Sequence, residues 1–186
     1  MPAIGLFFGT DTGKTRRVAK MIHKRYGDET VVAKPLNVNR ITPADMLAYD
    51  RLILGTSTLK GGRLPGLDST AQMEGWLEFL PKLEAAGADF TGKTIALYGL
   101  GCQEKYPDTF CDALGVLHAF LAEHGAAFVG AWPTEDYQFD SSKAVGPDGR
   151  FVGLALDLDV ENLKTEGRLT GWLAQIAPDL GLPATV

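Results

Sequence analysis

Apolar residues recur along the chain in short unbroken runs, at Ile4–Phe8, Thr30–Ala33, Arg51–Gly55, Thr94–Gly99 and Ala127–Gly130. Runs without polar alternation predict strands buried on both faces. Between most of them the apolar positions fall three and four apart, the spacing of one helix face. Val18, Met21 and Ile22 make one stripe, and Met73, Trp76, Leu77 and Leu80 a second that breaks at Pro81. Phe110, Leu114, Leu117 and Leu121 line a third, and Leu169, Trp172, Leu173 and Ile176 a fourth. Pro43–Tyr49 reads as a single poor turn of helix. Strands alternating with helices predict a parallel sheet covered on both sides, with ligands at the carboxyl ends of its strands.

One stretch breaks the rhythm. Trp132 to Arg150 is polar and turn-rich, with Asp136, Asp140, Ser141, Ser142 and the run Gly146-Pro147-Asp148-Gly149. An apolar strand resumes at Phe151–Leu156, so the polar part reads as an insertion into the last strand. Residues 1–186 are expected to form one domain, the size at which a single core still serves a whole chain.

Composition narrows the function more than the fold. A net charge of −5 and a pI near 5.2 argue against nucleic-acid binding, which needs a basic surface. No apolar run reaches the length of a membrane span, and no basic-then-apolar leader opens the sequence. A cytoplasmic, monomeric protein is expected. Cys102 and Cys111 are too few for a disulfide framework, and His23, His118 and His124 lie too scattered for a metal site.

The chemistry gathers in three loops that end strands. The first, "LFFGTDTGKT", mimics a nucleotide-triphosphate loop, but Gly9 and Gly13 stand one residue too close. It still sets backbone N–H groups and a helix start at a strand end, where a phosphate would sit. Thr10, Thr12 and Thr15 add hydroxyl donors. No second strand ends in the acidic residue that magnesium-dependent hydrolysis requires, so nucleotide hydrolysis is disfavoured. The third and fourth runs end in "GTSTLKGGRLPGL" and "LYGLGCQEKYPDTFCDALG", rich in small residues that let a backbone approach something flat.

Together with "FVGLALDLD", these loops resemble the flavodoxins, over the whole chain. The insertion is similar to that of the long-chain group. "LPGL" and "YPDTFCDALG" look most like the flavodoxins that serve nitrogen fixation. The resemblance implies a doubly wound, five-stranded parallel sheet in the order 2-1-3-4-5, with its last strand interrupted. It implies a low-potential one-electron carrier with noncovalent FMN, fed by an unidentified reductase and donating to the nitrogenase iron protein. The rival is an FMN-dependent NAD(P)H:quinone oxidoreductase of the same fold. No second basic phosphate site for a nicotinamide cofactor is visible.

Residue by residue, the resemblance assigns Thr10, Asp11, Thr12, Gly13, Lys14 and Thr15 to the FMN phosphate. Thr56, Ser57 and Thr58 would line the ribityl chain and inner ring edge. Leu59 would cover one face of the isoalloxazine and Tyr106 the other, with Cys102 and Thr109 near its pyrimidine end and Gly99, Leu100 and Gly101 also assigned to the cofactor. Asp159 would reach the ribityl chain, while Asp68 and Glu104 are the carboxylates expected to repel negative charge on the flavin. Cys102 stands where relatives usually carry aspartate, and Thr109 where many carry asparagine. Lys60 and Arg63 replace an expected acidic rim. By the same resemblance the Lys60–Gly61 peptide flips on reduction to accept the N5 proton, and the flipped form alone is expected to need positive φ at Gly61.

Overall fold

The computed structural model describes residues 1–69 and 72–184. Among these residues six strands form one sheet: β1 (Gly5–Gly9), β2 (Leu36–Asn37), β3 (Arg51–Ser57), β4 (Thr94–Leu100), β5 (Ala127–Val129) and β6 (Leu154–Leu156). Helices α1 (Lys14–Tyr26), α2 (Pro43–Leu47), α3 (Trp76–Ala85), α4 (Asp112–Glu123) and α5 (Thr165–Leu180) connect and follow them. Every ladder is parallel, in the order β2-β1-β3-β4-β5, with β6 also beside β4. β5 pairs Thr94–Ala96 while β6 pairs Tyr98–Leu100, so the two are halves of one edge position. The insertion parts them, as the sequence pattern predicts.

Both sheet faces are buried, which explains the unbroken apolar runs. Phe7, Leu52, Leu54, Ile95 and Leu97 point to one side and pack with Trp76, Phe79 and Leu83 of α3 and with Leu114, Leu117 and Leu121 of α4. Leu6, Phe8, Ile53, Ala96 and Tyr98 point to the other and meet Val18 and Ile22 of α1 and Leu169, Trp172 and Ile176 of α5. Alternate residues of one strand thus serve two cores.

The edge strand departs from expectation. Thr30–Ala33 is no ladder strand: Val31 N and Val32 N turn back to Asp28 O, and only Val32 bridges Ile4. The strand proper lies beyond Pro35, whose missing N–H interrupts the edge, and its half-polar sequence hides it. Pro81 does not break α3 either. The helix starts later than its stripe, at Trp76, where Glu78 accepts from Gly75 N at 2.8 Å. It then runs through Pro81 because Phe79, Leu80 and Leu83 are buried on both sides of it. Met73 precedes the helix and is exposed.

At the other late start, Phe110 lies buried ahead of α4, after which Cys111 at φ 54 turns the chain into the helix. The resumed strand is shorter than Phe151–Leu156, because Phe151 bridges antiparallel to Trp132 and Val145 within the insertion. Gly153 then passes so close to Leu97 O that a Cβ there would lie 2.2 Å from it.

Candidate functional site

β1, β3, β4 and β6 end side by side, and their following loops enclose a cavity of about 290 Å³. The first wall is the β1–α1 loop. Gly13, at φ 93, caps α1 and donates its N–H to Thr10 Oγ1 at 3.1 Å. The first turn of α1 holds no acidic residue, so its positive end is not offset from within the helix. Its last turn carries His23, Lys24 and Arg25, which suit the negative end. An anion at the start of this helix would be favoured.

The floor depends on close packing beneath the loops. Tyr98 is fully buried and donates its hydroxyl to Thr15 O at 3.1 Å. Burial raises its pKa, so the phenol remains a donor. The ring occupies the space a side chain at Gly55 would need, since a Cβ there would lie 2.0 Å from it. Trp76 Nε1 donates to Gly55 O at 2.8 Å and fastens α3 under the same strand.

Opposite the phosphate-type loop stands the segment after β6. Asp157 is fully buried, and its carboxylate accepts from Gln103 N and Nε2 (2.9 and 3.2 Å) and from Asp159 N and Val160 N (3.1 and 2.9 Å). Those bonds hold the β4 loop to the β6 loop. Asp159 is thereby aimed across the cavity and forms an ion pair with Lys14. Among the described residues one trio of ligand-type atoms gathers within 4.8 Å, from Cys102, Asp157 and Asp159. Sequence spacing did not anticipate it. Both Asp157 oxygens are already spent on N–H groups, so the trio is poorly suited to a cation.

Thirteen of the expected site residues line the cavity: Thr10, Asp11, Thr12, Lys14, Ser57, Thr58, Leu59, Lys60, Leu100, Gly101, Cys102, Tyr106 and Asp159. Leu158 joins them unforeseen, although its place between two aspartates at a strand end was a readable signal. Gly13, Thr15, Thr56, Gly61, Gly99 and Thr109 do not line it. Thr15 and Thr56 are buried, and Thr56 Oγ1 donates to Ser57 O at 2.9 Å. Gly99 packs its backbone against Leu114, and Thr109 closes the turn after Tyr106. Glu104 faces a neighbouring cavity and Asp68 is exposed in the turn Leu67–Ser69, so neither carboxylate lines this one.

Gly61 brings a correction. In the turn closed by Gly62 N to Leu59 O at 3.0 Å, Gly61 already has φ 79 and Gly62 φ 77. Positive φ belongs to this resting turn, not to a flipped form alone. The Lys60 carbonyl accepts from Arg63 Nε at 3.4 Å, while Arg63 Nη1 reaches Asp68 O at 3.2 Å.

Hydroxyls without partners test what the cavity would hold. Ser57 Oγ and Thr58 Oγ1 are buried in its wall and Thr15 Oγ1 lies just behind, all three unsatisfied within the protein. Buried hydroxyls are costly without a partner, so a polar ligand fits here. Leu59 and Tyr106 supply apolar surface, and Tyr106 is 38% exposed, its ring reaching solvent. Hydroxyls, a helix start with no acidic residue in its first turn and an apolar pair suit a flavin bearing a phosphate.

Comparison with known proteins agrees. A sequence profile described as flavodoxin matches residues 6–172. A flavodoxin of Klebsiella pneumoniae is 49% identical over 176 residues, covering 95% of this chain and 97% of that one. Flavodoxin 1 of Escherichia coli (strain K12) is 42% identical over 182 residues, or 98% and 97% of the two chains. The solved Fusobacterium nucleatum flavodoxin bound to flavin mononucleotide superposes with a TM-score of 0.81 at 29% identity, over 96% of this chain and 99% of that one. Matched nearly end to end by profile, sequence and fold, the chain belongs to the flavodoxin family, whose members are FMN-binding electron-transfer proteins rather than enzymes.

Proposed function

We propose that this flavodoxin holds FMN noncovalently in the cavity at the strand ends and passes single electrons to the nitrogenase iron protein. The observation that carries the cofactor reading is the cavity itself, whose walls hold the unsatisfied hydroxyls of Ser57 and Thr58 together with Leu59 and Tyr106. FMN, when bound, supplies the one-electron redox chemistry. The residues do the rest. Thr10, Thr12, Gly13 and Lys14 receive the phosphate at the start of α1, and Ser57 and Thr58 offer hydroxyls to the ribityl chain. Leu59 and Tyr106 cover the ring and keep water from it. A poorly solvated slot makes added negative charge costly, which pushes the second potential down.

The nitrogenase assignment rests on the likeness of "LPGL" and "YPDTFCDALG" to flavodoxins of nitrogen fixation. A separate reductase would load the carrier, and a cytoplasmic monomer suits that traffic. No helix among the described residues is long and apolar enough to cross a membrane. The test is direct: the FMN-loaded protein, reduced anaerobically, is mixed with purified nitrogenase iron protein. Reoxidation of the flavodoxin with matching reduction of the iron protein is expected. Failure to transfer, with FMN tightly bound, would leave the carrier and remove its acceptor.

A further inference from the structure

One part of the insertion between β5 and β6 reaches back to the loop that carries Tyr106. Gln138 N donates to Gln103 Oε1 at 2.6 Å, and Asp140 N and Ser141 N both donate to Pro107 O, at 2.7 and 3.1 Å. Ser141 Oγ donates to Asp108 O at 2.5 Å. All four bonds land on the β4–α4 loop, on either side of Tyr106. Within that loop Tyr106 is restrained by little else: its N–H reaches Cys102 O at 3.0 Å, and its carbonyl accepts from Thr109 N at 3.3 Å.

The same stretch of the insertion is anchored to the body of the protein by the residues interleaved with these contacts. Arg168 of α5, itself buried, donates to Glu161 Oε2 at 2.7 Å and to Asp136 Oδ2 and O at 3.0 and 3.2 Å. Its guanidinium lies 4.0 Å from the centre of the Tyr137 ring, and Tyr137 Oη donates to Ala155 O at 2.6 Å. Tyr137 and Phe139 also pack on Phe110 and Phe151. Gln103 is the junction. Its amide bonds Asp157 and Glu161 on the β6 side, while its Oε1 takes the insertion's N–H.

We propose that the insertion is an internal brace that sets Tyr106 against the flavin, with Gln103 as the positioning residue at its junction. The inference rests on the reading that Tyr106 covers the FMN ring. A stacking side chain on a loop must be held by its surroundings to within a fraction of an ångström, and the loop's own bonds do not supply that. The insertion does, from a packed base.

The experiment compares Gln103→Leu, Ser141→Ala and Tyr106→Ala, each singly, and the Gln103→Leu/Tyr106→Ala double variant. FMN affinity, flavin fluorescence and the second one-electron potential are measured for each. Gln103→Leu is expected to weaken FMN by on the order of tenfold, roughly one buried hydrogen bond left unmade. Ser141→Ala, at an exposed position, should cost about threefold, keep the wild-type melting temperature, and serve if Gln103→Leu fails to fold. Both should raise the second potential, by less than Tyr106→Ala does. In the Tyr106→Ala background, Gln103→Leu should move it no further, because it acts through that ring. A Gln103→Leu protein that melts earlier but keeps wild-type affinity and potential overturns the brace, as does an equal shift with Tyr106 absent. Unchanged fluorescence and potential in Tyr106→Ala would instead remove the stacking reading, and the brace with it.

Discussion

Thr12 and Thr15 read alike in the sequence, yet the structure separates them. Thr12 is exposed in the cavity wall, whereas Thr15 is buried behind it. Thr12→Val should therefore weaken FMN by on the order of tenfold and riboflavin hardly at all, because only FMN carries the charged acceptor. Equal losses in fluorescence titrations with the two ligands would place the phosphate elsewhere. Gly61 shows the same dependence on conformation, with the sign reversed from what the sequence alone suggests. With φ 79 in the resting turn, a Cβ would strain that turn, and a flip of the Lys60–Gly61 peptide to a type I arrangement would relieve it. Gly61→Ala is expected to favour the flipped form by about 1 kcal/mol and raise the first potential by roughly 40 mV. An unchanged or lowered potential in anaerobic titration would disconnect this peptide from the redox change.

At the scale of elements, α3 and α4 are tied at their ends by His124. Its Nδ1 lies 2.7 Å from Phe120 O and its Nε2 2.7 Å from Glu84 Oε2. The Phe120 carbonyl first, and then Glu84, raise its pKa above the usual value. A histidine raised in the folded state stabilises fully below its unfolded pKa, about 6.5, and loses that contribution as pH climbs through the folded one. Glu84 is well exposed, so the contribution should stay under about 1 kcal/mol. Urea unfolding of the apoprotein should show wild type losing more stability than His124→Gln between pH 6 and pH 8. Parallel pH profiles would remove His124 from the account.

For the whole molecule, ligand linkage is the broadest check. A protein that binds FMN only when folded gains about 2.7 kcal/mol at a free concentration one hundred times Kd. For a domain of 186 residues that corresponds to a melting temperature higher by roughly 5–10 °C. Riboflavin at the same concentration should give less. A scan in which FMN moves the transition no more than buffer would contradict the cofactor assignment at a stroke, without any redox measurement.

The sheet, its four long helices and the interrupted last strand were legible in the residues because burial on two faces writes unbroken apolar runs, and burial on one writes helical stripes. The three loops were legible because close backbone approach and phosphate contact demand glycine and hydroxyl side chains in short spans. The edge strand at Leu36–Asn37 was not, since an edge position is half solvated and carries no apolar signal. Pro81 misled because local propensity yields to the packing of Phe79 and Leu83. Asp157 and the insertion's Gln138 lie 54 and 35 residues from Gln103 in the chain, and no periodicity encodes which of them meet. Local chemistry determined which segments could fold and what they could touch. Which polar groups were buried together, and so which loop holds which, was decided only when the chain closed on itself and every desolvated group needed a partner.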